Sequence, residues 1–176
     1  MSNWPCDICN PENDSAVKEF FSSFEEVSKF TIEYLSNKLF GCVNSFYNSL
    51  FDDVWLSNFF VEEILNSYNE KFEILDKLGR GQYGEILKFI KKKSLIQYLT
   101  SLMRRKLSLT TDENRKEGSL KILSETEMFN EFFAAVAVSD EEDSGVKFDV
   151  LINIANIIGA SEDMITFDLM TLIRNA

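Results

Sequence analysis

The sequence contains no histidine. That absence excludes Ser-His-Asp and Cys-His catalysis, imidazole-held zinc and histidine-based pH switching. Proline is confined to Pro5 and Pro11, so beyond position 11 the strongest helix breaker is missing. Three cysteines (Cys6, Cys9 and Cys42) are too few for a disulfide scaffold. Cys6 and Cys9 have half-zinc-site spacing, but only Cys42 remains as a further sulfur, so reduced thiols and no metal are expected. The longest charge-free apolar stretch, 39–51, falls short of a membrane span and carries Asn and Ser. With no secretory leader pattern at the start, a cytoplasmic setting is the expectation. Basic side chains are in deficit too. Eighteen Lys and Arg face 29 Asp and Glu, a net charge of −11 that argues against nucleic acid as a partner.

What the chain does have is 45% hydrophobic residues, sixteen of them Phe, in a length of 176 that suits one domain or two small ones in tandem. The apolar positions recur with a helical period and nowhere alternate in twos, which predicts an all-α fold. A first helix should open at Asn10-Pro11, a capping side chain before a proline at the first helical position. Val17, Phe20, Phe24, Val27, Tyr34, Leu39, Val43, Phe46 and Leu50 then read as one buried stripe to about Phe51. A helix of that length implies an elongated shape. Ser57 reads as the cap of a second helix with Phe60, Ile64, Tyr68, Phe72 and Leu75 on one face. A third helix should run from Gln82 to Leu107, with Ile86, Leu87 and Ile90 on one face and Leu95, Leu99, Leu102 and Met103 almost opposite, so that it either kinks near Lys93 or passes there to other neighbours. Thr110 and Glu113 form a capping box for a fourth helix carrying Leu120, Leu123, Phe129, Phe132 and Val136. A fifth carries Val150, Leu151, Ile154 and Ile158 and stops at Gly159, and Ser161 caps a sixth. The expected architecture is an antiparallel bundle, or stacked hairpins, of about six helices over 11–176, with a flexible segment at 1–10.

No motif carries chemistry. Gly79, Gly81 and Gly84 mimic a kinase phosphate loop, but no Asp-Phe-Gly follows, so they read as a loop between helices, with no nucleotide or other cofactor expected. Asp140, Glu141, Glu142 and Asp143 lack the ligand spacing of a calcium loop. Glu62 and Glu63 adjoin on a helix surface rather than converging across a cleft. No nucleophile has a base partner, so the chain does not read as an enzyme.

Charge, by contrast, is segregated. Residues 1–78 sum to −9, residues 79–121 to +7 and residues 122–176 to −9. Lys88, Lys91, Lys92, Lys93, Arg104, Arg105 and Lys106 concentrate this positive band and are the candidate partner-binding residues. They suit an acidic helix, with weak contact to an anionic membrane as a second use.

Tyr98-Leu99, the run Met103-Arg104-Arg105-Lys106-Leu107-Ser108 and the run Glu113-Asn114-Arg115-Lys116-Glu117-Gly118 resemble the C-terminal domain of exocyst complex component 3, the Sec-six subunit. The resemblance continues through Phe129, Phe132 and Phe133 and returns at Asp168-Leu169 and Leu172, so that it covers about the last 125 residues. It implies a non-enzymatic, helical vesicle-tethering module that binds other exocyst subunits and SNARE proteins. Such a module would be cytoplasmic and peripheral at plasma-membrane sites of secretion. The rival expectation is a free-standing helical adaptor that captures an amphipathic helix of a partner.

Overall fold

The computed structural model describes residues 15–75, 77, 80–104, 109, 111–137 and 146–160. The described residues form five α-helices: α1 (Ser15–Ser49), α2 (Phe60–Leu75), α3 (Arg80–Arg104), α4 (Asp112–Val136) and α5 (Val150–Gly159). A one-turn 3-10 helix, Trp55–Ser57, joins α1 to α2, and no strand occurs among the described residues. The all-α expectation holds. The sixth expected helix, the Asn10-Pro11 start, the 1–10 segment, Cys6, Cys9 and the acidic run 140–143 all lie outside the described residues.

At 1.5 Å per residue α1 is about 52 Å long. Its second half packs on α2 and α3, while α4 packs on α5 and α2. The single stripe expected along α1 is in fact two. Phe40, Val43, Tyr47 and Leu50 are buried, whereas Phe20, Phe24, Val27 and Tyr34 are exposed, Phe20 by 66%. The helical repeat explains the switch: at about 100° per residue, Phe20 and Tyr47 lie on opposite sides of the helix. The five-residue step from Tyr34 to Leu39 is where the apolar run changes face. Two residues beyond the end of α1, Phe51 takes a left-handed φ of 63°. Its buried ring lies 4.6 Å from Trp55 and 5.0 Å from Tyr98, packing that holds a conformation costly for a non-glycine residue.

Three boundaries differ from the sequence reading. Ser57 sits in the 3-10 turn rather than capping α2, which starts three residues later. Gly81 and Gly84 lie inside α3, not in a loop. The cap of α4 is Thr111, not Thr110, and its side chain accepts from the Asn114 amide at 3.2 Å. Leu120 points to solvent although the sequence placed it on the apolar face of α4.

The buried stripe of α3 continues past Lys93 through small polar residues, while Leu95, Leu99 and Leu102 are half-buried against the core. Tyr83, Ile86, Leu87, Ile90, Ser94, Tyr98 and Ser101 are all buried at three- and four-residue steps. The serines are satisfied across the interface. Ser94 Oγ bonds Tyr68 Oη at 3.1 Å, and Ser101 Oγ donates to the Tyr47 carbonyl at 2.8 Å. Met103, assigned to the shifted phase, is 85% exposed.

Candidate protein-interaction site

Two places concentrate charge and space: a cleft between α1 and α3, and a buried carboxylate on α4. The cleft has a volume of about 300 Å³. Ile32 of α1, Phe89 of α3 and Val146 give it apolar walls. Lys29, Lys88 and Lys92 contribute three cations, and Glu33 and Glu85 contribute two anions. Lys88 and Lys92 share this cleft because they are one turn apart on α3. Lys88 donates to Glu85 Oε1 at 3.0 Å, which leaves Lys29, Lys92 and Glu33 to set the charge an incoming segment meets.

The remaining candidate residues do not converge there. Lys93 is held in the α1–α3 contact: its Nζ donates to Asn37 Oδ1 at 2.5 Å and lies 4.7 Å from the Phe40 ring centroid. A second ring, Phe89, is 5.5 Å away, so Lys93 is a structural cation. Lys91 is half-buried, on a different side of α3 from Lys92. Arg104 is exposed but about 18 Å further along α3 from Lys92. Arg105 and Lys106 lie outside the described residues. Within the described helix, then, the positive band is not one patch. Lys29 was missed in sequence because it stands in an acidic segment, and only the α1–α3 packing carries it to Lys88 and Lys92.

The second site was also missed. Glu125 is buried on α4 and accepts from Trp55 Nε1 at 3.0 Å and from Tyr98 Oη at 2.5 Å. One carboxylate thus ties together the 3-10 turn, α3 and α4. Burial pushes its pKa up to about 7, against the opposing effects of both hydrogen bonds and of Lys121. Burial likewise raises the Tyr98 hydroxyl, with the Glu125 charge adding to the effect. Lys121 is fixed beside it by the carbonyls of Asn58 at 2.7 Å and Leu56 at 3.3 Å. A cavity of about 100 Å³ lies alongside, between Phe59, Lys121 and Met128. A raised carboxylate pKa can mark a catalytic acid, but this one sits among packing aromatics on three elements. It serves as a polar pin of the core. No group of three or more potential metal-ligating side chains occurs among the described residues. No helix among them is long and apolar enough to cross a membrane.

Among the described residues no chemical centre converges, and the fold is a helical bundle that carries a cation-rimmed apolar cleft. Residues 10–176 match the family model of exocyst complex component Sec6, and the chain belongs to that family. Its members are non-enzymatic components of a vesicle tether working at sites of secretion. No curated protein and no solved structure matches the chain.

Proposed function

We propose that residues 11–176 are one interaction domain of an exocyst-type tethering subunit, and that its α1–α3 cleft receives an acidic helical segment of another tethering subunit or of a SNARE protein. The family match over 10–176 carries the tethering role. The cleft supports the docking surface, because Ile32, Phe89 and Val146 offer apolar contact while Lys29 and Lys92 offer charge for the acidic side of an amphipathic helix. Docking would place the module at plasma-membrane sites where vesicles are held before fusion.

The test measures binding of purified exocyst subunits and SNARE cytosolic regions to wild type and to a Lys29→Glu, Lys92→Glu double variant, at low and near-physiological salt. Affinity should fall several-fold in the variant and weaken with salt in the wild type. Unchanged binding by a folded double variant would remove the cleft from the account. Binding lost only to anionic vesicles would convert the surface to a membrane contact.

A further inference from the structure

A groove of about 360 Å³ runs between α4 and α5 and shares no lining residue with the α1–α3 cleft. Leu123 of α4 and Ile152 of α5, 37% exposed, give it apolar surface. Two of its polar side chains are already satisfied. Thr126 donates its hydroxyl to the Ile122 carbonyl at 2.7 Å, and the Asn130 amide donates to Asp149 Oδ1 at 3.3 Å. Glu127 and Glu131 remain. Both are exposed, one turn apart on α4, and neither has a cation partner among the described residues. Leu120, 67% exposed, lies on the same side of α4 two turns before Glu127 and prolongs the apolar surface.

We propose that this groove is a second docking surface, and that it takes a basic amphipathic helix. Charge selects the occupant. Residues 122–176 hold eleven acidic side chains against two basic ones, Lys147 and Arg174. The chain's own residues 161–176 carry three acidic side chains against one basic, so like charge disfavours them at Glu127 and Glu131. A metal ion is a poor fit too, because no group of three potential ligands occurs among the described residues. Shape selects a helix. Both walls are helices, whose backbone donors and acceptors are taken within the helix, so the groove offers no open edge for an added strand. From Leu120 to Glu131 the surface is about 17 Å long, room for about three turns. Apolar side chains of such a helix would meet Leu120, Leu123 and Ile152, while its Lys or Arg side chains would reach Glu127 and Glu131. The groove goes beyond the α1–α3 docking surface, since its charge is opposite and loss of a partner from one site leaves the other intact. One module would thus hold two partners of opposite charge.

Fluorescence anisotropy tests it with two synthetic peptides of about 14 residues, about four turns, each with leucines along one face. One carries lysines on its other face, and its counterpart carries glutamates there. The full chain should bind the lysine peptide at least about tenfold more tightly than the glutamate peptide. Glu127→Lys with Glu131→Lys should weaken lysine-peptide binding at least about tenfold. Glu25→Lys with Glu26→Lys makes the same charge change on exposed positions of α1 and should alter binding less than about twofold. Leu120→Ser should weaken it several-fold, whereas Ile74→Ser, at an exposed apolar site on α2, should not. Circular dichroism checks that each variant keeps its helices. Equal losses from the α1 and α4 charge reversals would overturn the proposal, since the peptide would then answer only the molecule's net charge. Failure to bind either peptide overturns it too, whether the groove stays empty, is filled by residues 161–176 or is taken by a second copy.

Discussion

The two halves of α1 both carry aromatic residues and have opposite fates. From Ser36 onward the helix buries Phe40, Val43, Tyr47 and Leu50 against α2 and α3; before it, Phe20, Phe24 and Tyr34 stand in solvent. Apolar content therefore does not decide burial here. What decides it is which side of the helix the residues occupy and whether a neighbour reaches that far. The second half is part of the core, and none of the described residues covers the aromatic face of the first.

Substitutions in the two halves should separate them sharply. Tyr47→Ala removes a fully buried ring that stacks on Phe40 at 5.3 Å, and should cost about 3–5 kcal/mol in chemical denaturation. That loss would leave a domain of this size barely folded.

Next in size is the pH response of the core that the second half of α1 helps to build. Glu125 holds its proton more tightly folded, with a pKa of about 7 against an ordinary 4.5. Its contribution is therefore fully present below about pH 4.5 and is lost as pH rises through 7. The span corresponds to about 3 kcal/mol as an upper figure. Glu125→Gln should flatten that part of the profile and raise the midpoint above pH 7, since the amide carbonyl can still accept from Trp55 or Tyr98. An unchanged slope in denaturation curves from pH 5 to pH 8 would contradict the assignment.

Adjacent lysines sharpen the comparison on a smaller scale. Lys93→Ala loses the Asn37 bond and the Phe40 contact to the buried half of α1, and should cost about 1 kcal/mol. Lys92→Ala, on an exposed side chain of the cleft, should stay within about 0.5 kcal/mol of wild type. Smallest of all is Phe24→Ser in the exposed half, for which thermal unfolding at low concentration should show no change beyond about 0.5 kcal/mol.

Much of the fold was legible in the sequence because long, proline-free segments repeat their apolar residues at helical spacing. What escaped depends on partners distant in the chain. The stripe of α3 was hidden because Ser94 and Ser101 are core residues only when Tyr68 and the Tyr47 carbonyl are beside them. Gly81 and Gly84 suggested a loop, yet the helix runs through them despite its weak preference for glycine. Lys29 and Glu125 carried no local signal, since Lys29 acquires its role from lysines 59 and 63 positions away and Glu125 from Tyr98 and Trp55, 27 and 70 positions away. The positive band was visible as composition, but its division into a structural Lys93, a cleft pair at Lys88 and Lys92 and a remote Arg104 required the packing.

Hydrogen exchange along α1 tests most directly whether only its second half belongs to the core. Amides of residues 36–49 should exchange only through global opening, while those of 17–34 should exchange orders of magnitude faster through local fraying. Equal protection of both halves would contradict the account.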